Sequence, residues 1–331
     1  YALRKDDWRE YEDYDKNRAI IDYMISQTSL PEAPWQIIPA ANDRFRRVKI
    51  FETLITEIEK ALRDSDGFNN KTAVSVDLPE ARPDTRFANA DLSQELSQRE
   101  YEEKKLSLQV KLRRLQNEAI DSQQRGMMVV YEGWDASGKG GSIRRLTATL
   151  DPQFYDVIPI SKPTVEEKSY HYLWRFWKSI PKRGHLTIYD RSWYGRVLVE
   201  RIEGFCTEAE WKRAYDEINA FEEQLSRAGV MIVKFWIHIS EEEQLRRFRA
   251  REEDPHKRHK LNEEDWRNRA KWALYNQCVN DMIARTSTTY APWTIIEGNC
   301  KRHARIRAME TVIRRFEKVG TGIREEKSKK K

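Results

Sequence analysis

The chain has 331 residues, of which 39% are hydrophobic and 34% charged, and its formal net charge is +6 at pH 7. This length and composition predict a globular protein of roughly two domains with a sizeable core. No run of 18 or more apolar residues occurs and the first residues do not resemble a signal or transit peptide, so we expect a cytoplasmic protein without membrane-spanning helices.

The N-terminal segment, residues 1–64, is a copy of a segment near the C-terminus. Leu3–Lys60 aligns without a gap with Leu261–Lys318 at a shift of 258 positions. The identical stretches include Asp7-Trp8-Arg9 with Asp265-Trp266-Arg267 and Ala33-Pro34-Trp35 with Ala291-Pro292-Trp293. Each copy is predicted to contain a helix, a strand and a helix, which in the first copy span 6–29, 35–39 and 43–63. We interpret 1–64 as the end of a first repeat and expect that the chain starts inside a tandem protein.

A linker and a long charged helix follow the first copy. Residues 65–94 are rich in Ser, Asp, Asn, Pro and Gly and show little periodicity, which predicts a linker. Residues 95–124 predict a helix that begins a second domain, 95–322. Its apolar stripe is expected to consist of Leu106, Leu108, Val110, Leu112, Leu115 and Ile120.

The second domain is organised around Met127–Leu150. A short apolar run predicts a buried parallel strand, and the sequence from Gly133 to Lys139 then has the G-x-x-x-x-G-K spacing of a phosphate-binding loop followed by a helix. Gly140 stands where Ser or Thr commonly binds Mg²⁺, so we expect Asp135 to replace it as a metal ligand. The residues predicted to contact phosphate through this loop are Gly133, Ala136, Ser137, Gly138, Gly140 and Gly141. The alternative is a glycine-rich turn that binds nothing.

Strands and helices alternate through the rest of the domain. Strands are predicted near 155–160, 185–189, 230–239 and 293–297, and helices near 166–179, 193–228, 241–252 and 263–287, with a final helix to about 318. This order indicates a P-loop kinase-like three-layer α/β fold, with a parallel sheet flanked by helices and a helical lid. The basic residues 323–331 are expected to form a disordered tail.

Asp190 ends an apolar strand and is followed directly by Arg191. In a P-loop fold, a carboxylate at this place holds Mg²⁺, although an Asp there also commonly caps a helix. Downstream, Arg196 and Glu200 share one helix face. We predict Asp135, Asp190 and Glu200 as metal ligands and Arg196 as a phosphate contact. A surface ion pair is the alternative for the last two residues.

Basic residues concentrate in the segment 245–260, which Pro255 interrupts. Two helical arms around a bend are typical of a lid that closes cations over phosphates. A solvated charged face is the alternative. The lid residues predicted to bind phosphate are Arg246, Arg251, Lys257 and Arg258.

Several motifs resemble those of the family 2 polyphosphate kinases, over about residues 95–320. They are Glu132–Gly141, Tyr172–Trp177, Tyr189–Phe205, Val233–Trp236 and the stretch from Thr286 to Trp293. The tandem duplication resembles the two-domain subgroup, which implies transfer of phosphate from inorganic polyphosphate to AMP with formation of ADP.

The resemblance also implies roles for individual residues. Asp135, Lys139, Asp190 and Arg191 match catalytic positions, whereas Arg175 and the lid residues match positions that handle phosphate. Basic candidates for a polyphosphate track are Arg144, Arg145, Arg175 and Arg183. The expected cofactor is Mg²⁺, the partners are polyphosphate and AMP or ADP, and the assembly is a homo-oligomer.

Other functions remain open at this point. They are a polyphosphate:ADP phosphotransferase that makes ATP or runs in reverse, an ATP-dependent nucleotide kinase and a nucleic-acid-binding P-loop protein. Gly140 disfavours the ATP-dependent kinase. We expect neither a nucleic-acid nor a membrane partner, because no nucleic-acid-binding module is recognisable.

Overall fold

The computed structural model describes residues 5–68, 78 and 85–328, and the chain divides into two compact units, Tyr1–Ala73 and Val74–Lys331. The first unit contains three helices: α1 (Lys5–Glu12), α2 (Tyr14–Thr28) and α3 (Asp43–Phe68).

The first unit reproduces the hydrogen bonds of its copy near the C-terminus. Trp35 Nε1 donates to Thr28 Oγ1 across 2.8 Å, and Trp293 Nε1 donates to Thr286 Oγ1 across the same distance. Thr28 and Thr286 each donate in turn to the backbone carbonyl four residues earlier in the chain. The internal repeat therefore extends from sequence to local structure.

The strand predicted at 35–39 is wrong. In the described part of the first unit, only an isolated bridge between Leu30 and Ala33 is present. A strand needs a neighbour to accept its backbone hydrogen bonds, and no described segment of this unit supplies one. The copy at 293–297 has such a neighbour. As a result Ile37 is 78% exposed whereas its counterpart Ile295 is 8% exposed.

The second unit contains a five-stranded parallel sheet in the order β2-β3-β1-β4-β5. The strands are β1 (Gly126–Gly133), β2 (Tyr155–Pro159), β3 (Leu186–Asp190), β4 (Val230–His238) and β5 (Trp293–Glu297). Short apolar runs rich in Val and Ile predict strands that are buried on both faces, and β1, β3 and β4 are buried almost throughout. Two apolar cores lie on opposite faces of this sheet. The predicted fold class is confirmed.

Helices cover both faces of the sheet. They are α4 (Thr85–Ala88), α5 (Gln98–Ser122), α6 (Lys139–Thr147), α7 (Val165–Lys168), α8 (Trp174–Trp177), α9 (Val199–Glu203), α10 (Glu208–Arg227), α11 (Glu241–Glu253), α12 (Glu263–Ala270), α13 (Trp272–Thr286) and α14 (Lys301–Ser328). The single helix predicted at 166–179 is two short helices, α7 and α8. In the described residues no helix has both the length and the apolar character needed to cross a membrane.

The buried stripe of α5 differs from the predicted one. Leu112 and Leu115 are buried as expected, but Leu106 and Val110 are each 63% exposed. Residues 106, 108 and 110 cannot share one face, because neighbours on a helix face are three or four positions apart. Tyr101, three helical turns before Leu112 and on the same face, is buried instead.

The predicted linker is partly packed. α3 extends to Phe68, and Phe87 of α4 is 4% exposed with its ring 4.6 Å from that of His238. The part at 69–77 and 79–84 lies outside the described residues. The predicted tail also begins too early, since α14 continues to Ser328, and residues 329–331 lie outside the described part of the chain.

Candidate active site

The loop between β1 and α6 has the backbone of an anion-binding turn. Gly133 has φ +147° and a Cβ there would lie 2.6 Å from the carbonyl oxygen of Ile237, so only glycine fits. Ala136 adopts the left-handed conformation with φ 60°. Gly138 precedes the first residue of α6, whose N-terminus therefore points into the loop.

Asp190 and Arg191 reach this loop because β3 lies beside β1. Tyr131 of β1 is opposite Asp190 in the parallel register, so both strands end at the same edge of the sheet. Arg191 has φ 68°, and its backbone N–H donates to the carbonyl of Tyr131. This turn is braced by Ser192, whose hydroxyl donates to Oε1 of the buried Glu132 across 2.8 Å.

A cleft of about 930 Å³ opens beside the loop. Three carboxylates face it: Asp135, Asp190 and Asp265. They are outnumbered by ten cationic side chains, namely Lys139, Arg144, Arg145, Arg191, Arg246, Arg247, Arg251, Lys257, Lys301 and Arg305. Low-dielectric walls lined by one sign of charge concentrate ions of the opposite sign, so this cleft suits a polyanion.

The two central loop side chains are held by neighbouring groups. Lys139 Nζ donates to the carbonyl oxygens of Gly133 (2.7 Å) and Trp134 (3.1 Å), and burial lowers its pKa against the opposing effect of nearby carboxylates. Asp135 accepts from Arg191 Nη2 at Oδ1 (3.3 Å) and from Asn268 Nδ2 at Oδ2 (2.9 Å). The cation and the carboxylate therefore have fixed orientations at the mouth of the loop.

Two of the three predicted metal ligands fit Mg²⁺. Asp135 and Asp190 face the same cleft, and a Cβ on Gly140 would lie 3.7 Å from Asp190 Oδ2. Mg²⁺ is typically held by one or two carboxylates together with substrate phosphates and water. Glu200 instead pairs with Arg196 and does not line the cleft. Among the described residues, no group of three or more His, Cys, Asp or Glu could hold a metal, so the three-carboxylate set does not form.

Most of the predicted phosphate contacts lie at the cleft. These are Ala136, Ser137, Gly138, Gly140, Gly141, Arg144, Arg246, Arg251 and Lys257. Gly133 lines the adjacent pocket described below.

Four predicted basic residues do not line the cleft. Arg175 pairs with Glu167 and donates to the carbonyl of Ser161. Arg183 is exposed before the first residue of β3, at the opposite edge of the sheet from Asp190. The remaining two are Arg196, which pairs with Glu200 and Glu210, and Arg258, which donates to the carbonyl of Glu252.

Several residues of the site were missed by sequence reasoning. Asp265, Arg247, Lys301 and Arg305 line the cleft, and Asn268 contacts Asp135. Arg305 carried a signal, since it matches Arg47 in the repeat, and Arg247 lies within the predicted lid. Lys301 and Asn268 carried none, because their repeat counterparts are Asp43 and Glu10.

A second, smaller pocket of about 70 Å³ adjoins the cleft. Its apolar lining consists of Trp134, Leu198, Val199, Trp236 and Tyr275. Trp134 is fixed there by stacking on Trp272, with 3.7 Å between the ring centroids. The pocket shares Asp135 and Arg191 with the cleft, so a group bound in each would meet at these two side chains.

Comparisons with known proteins identify the family of this chain. Residues 1–66 and 95–321 match the family model of polyphosphate kinase 2. A polyphosphate:AMP phosphotransferase of Pseudomonas syringae pv. tomato is 45% identical over 313 residues, which are 94% of this chain and 62% of that protein. The chain thus spans about three fifths of the length of this relative.

Two further proteins show the same relationship. An ADP-polyphosphate phosphotransferase of Rhizobium meliloti is 38% identical over 211 residues, which are 64% of this chain and 69% of that protein. A crystal structure from Pseudomonas aeruginosa PA01, described as that of a putative polyphosphate kinase 2, superimposes with a TM-score of 0.83 at 42% identity. The match covers 97% of this chain and 67% of that one. The chain belongs to the polyphosphate kinase 2 family.

Proposed function

We propose that this chain transfers the terminal phosphate of inorganic polyphosphate to a nucleotide, with AMP as the acceptor and ADP as the product. One observation carries the proposal: a cleft lined by ten cations and an apolar pocket share Asp135 and Arg191. Polyphosphate bears about one negative charge per unit, which matches the cleft, whereas the smaller pocket offers aromatic side chains on which part of a nucleotide can pack.

The side chains at the junction suit in-line phosphoryl transfer. A phosphate oxygen of the acceptor attacks the terminal phosphorus, and the bond to the bridging oxygen breaks with its electron pair leaving on the shortened chain. Lys139 and Arg191 stabilise the negative charge of the transferred group. Asp135, held by Arg191 and Asn268, orients the attacking oxygen or accepts its proton. No covalent intermediate on the protein is required.

Asp135 and Asp190 are the residues that would hold Mg²⁺. When bound, the ion would supply positive charge that offsets the charge of the phosphate oxygens. The two carboxylates line the same cleft as Lys139 and Arg191.

The choice of AMP is supported by the relative from Pseudomonas syringae, whose name specifies this acceptor. The relative from Rhizobium meliloti is named for ADP, so acceptor choice varies within the family. We further propose that residues 1–64 are the C-terminal part of a repeat of the 95–322 domain. Homo-oligomeric assembly and a cytoplasmic location remain predictions.

The test is ADP formation from AMP with long-chain polyphosphate as the sole phosphate source, measured by chromatography, in parallel with ATP formation from ADP. We expect ADP formation that requires Mg²⁺. If only ATP formed, the acceptor would be ADP and not AMP. A requirement for ATP as the phosphate donor would overturn the proposal. Turnover should also weaken at higher salt because polyphosphate binding releases counterions, and duplex DNA should not compete.

A further inference from the structure

Helix α11 contacts the phosphate loop through two buried polar side chains, Gln244 and Arg247, which are 2% and 4% exposed. Gln244 Nε2 donates to the carbonyl of Asp135 across 3.1 Å. Arg247 Nη1 donates to the carbonyls of Ala136 (2.9 Å) and Ser137 (2.8 Å). Three consecutive carbonyls of the loop are therefore bonded to side chains of one helix.

Both side chains are themselves fixed. Arg247 Nη2 donates to the carbonyls of Gly298 (2.7 Å) and Asn299 (2.9 Å), between β5 and α14. Gln244 Oε1 accepts from Arg269 Nη1 across 3.2 Å. This part of the predicted lid is thus bonded both to the phosphate loop and to the segment after β5.

The direction of the carbonyls determines the direction of the amides. In a trans peptide the C=O and the next N–H point to opposite sides. With the carbonyls of Asp135 and Ser137 turned to α11, the N–H groups of Ala136 and Gly138 point away from α11. Within residues 5–68, 78 and 85–328, neither of these N–H groups has a hydrogen-bond acceptor. The N–H of Ser137, between them, donates to the carbonyl of Trp134 across 3.1 Å. Free amides beside a left-handed residue line a concave anion site, and those of Ala136 and Gly138 are available for it.

The left-handed backbone of Ala136 needs such support. A non-glycine residue with φ near 60° is strained relative to extended or helical backbone, and this conformation persists only where the surrounding structure holds it. Arg247 bonds to the carbonyl of Ala136 itself and to that of the next residue. The guanidinium fork is the side-chain group that can serve both, because its donors lie in one rigid plane.

We propose that Gln244 and Arg247 are positioning residues that hold the phosphate loop in its anion-binding conformation by bonding its outward carbonyls. The inference rests on the proposed function only in naming polyphosphate as the anion. Arg247→Lys keeps the positive charge, but a single ammonium group cannot donate both to the loop carbonyls and to those of Gly298 and Asn299. This substitution therefore separates the effect of the charge from the effect of the hydrogen bonds.

The experiment measures binding of inorganic tripolyphosphate to the full chain by calorimetry. The variants are Arg247→Lys and Gln244→Met, and the matched control is Arg249→Lys, an exposed residue of the same helix that does not line the cleft. Loss of hydrogen bonds from a charged donor is expected to weaken binding by roughly tenfold or more in Arg247→Lys. In Gln244→Met the loop loses one neutral hydrogen bond, and binding should weaken by roughly two- to tenfold. The control should bind like the unchanged chain.

Kinetics then separate positioning from general destabilisation. In Arg247→Lys the KM for polyphosphate should rise while the KM for AMP stays unchanged. Gln244 also lines the smaller pocket, so Gln244→Met is judged by its affinity for tripolyphosphate alone. Unchanged tripolyphosphate affinity in folded Arg247→Lys would overturn the proposal, and if that variant fails to fold, unchanged affinity in Gln244→Met would do so. A chain that binds tripolyphosphate through this loop yet forms no ADP would contradict the proposed function and leave the role of Gln244 and Arg247 standing.

Discussion

Asn268 of α12 donates a hydrogen bond to Oδ2 of Asp135 across 2.9 Å, although 133 positions separate the two residues. Its own Oδ1 accepts from the hydroxyl of Tyr275 across 3.3 Å, which fixes the orientation of the amide. Through this contact, the carboxylate of Asp135 in the phosphate loop is bonded to α12 and, through Tyr275, to α13.

Substitution of Asn268 should therefore reduce turnover. Asn268→Ala removes a hydrogen bond to a charged group, which typically contributes about 1.5–3 kcal/mol, so kcat is expected to fall by roughly tenfold or more. Asn268→Asp keeps the volume but places a second carboxylate beside Asp135, and should be worse than Asn268→Ala. Steady-state kinetics on both variants check this. Better activity in Asn268→Asp would mean that shape and not the hydrogen bond matters.

Removal of a central charge should slow phosphoryl transfer. Asp135→Asn and Lys139→Ala are each expected to lower kcat by about 10²–10³, as is typical when a preorganised charge or donor is removed from a transition state. Circular dichroism establishes that the variants are folded. Turnover near that of the unchanged chain in either folded variant would contradict the assigned roles of these residues.

Lys301 should make polyphosphate binding sensitive to pH. The pKa of Lys301 is lowered to about 8. Partial desolvation in the cleft is the larger cause and the positive charge of Arg247 the second, although the side chain keeps contact with solvent. The protonated form predominates below that pH and attracts the anion, so affinity for tripolyphosphate should fall as the pH rises through about 8. Lys301→Gln should weaken binding at pH 7 and flatten this dependence. The same dependence in Lys301→Gln would assign it to another group.

The second unit contains a buried ion pair, Glu222 and Lys234, whose disruption should destabilise it. Both side chains are fully buried, and Lys234 Nζ donates to Glu222 Oε2, Tyr194 Oη and the carbonyl of Thr286, each across 2.7 Å. Burial raises the pKa of Glu222 and lowers that of Lys234. The charges tolerate burial only as a bonded pair.

Breaking this pair is expected to be costly. Lys234→Met leaves an uncompensated buried carboxylate and should lower the free energy of unfolding by about 3–5 kcal/mol. The double variant Glu222→Gln, Lys234→Met should recover part of the loss, because no charge is then left unpaired. Urea denaturation measures both. Equal destabilisation by the single and double variants would show that packing and not charge is responsible.

Phe87 should stabilise the second unit although it lies in the predicted linker. It is 4% exposed and contacts His238 and Trp236 edge-on. Phe87→Ala is expected to cost about 3–5 kcal/mol in free energy of unfolding. Leu106→Ala is the control, because Leu106 is 63% exposed and its loss should change stability by about 0.5 kcal/mol or less. Equal effects would mean that Phe87 is not part of the core.

Sequence alone determined the features that depend on neighbouring residues in the chain. The apolar run of β1, the spacing from Gly133 to Lys139 and the alternation of strands with helices predicted a parallel sheet with a phosphate loop at its edge. Asp190 could be assigned to that edge because parallel strands end together. Each of these is a local pattern whose meaning is set by backbone geometry.

Tertiary structure decided which distant side chains complete the site. Arg247, Asn268 and Lys301 come to the site only because β4 and β5 end at the same edge of the sheet as β1, so that the segments after them begin there. Arg183 fails to reach it for the same reason, since it precedes β3 rather than following it. A residue before a strand lies at one edge of the parallel sheet and a residue after it lies at the other, so Arg183 and Asp190 are at opposite edges.

The two copies of the repeat show that the same local sequence can form a strand in one place and not in another. Trp35–Ile38 and Trp293–Ile296 follow helices with matching sequences and repeat the same hydrogen bond from tryptophan to threonine. Only the second segment is a strand, because β4 lies beside it and bonds to its backbone. Local sequence determined the turn and the hydrogen bonds near it, whereas the strand required a neighbour that only the fold of the second unit supplies.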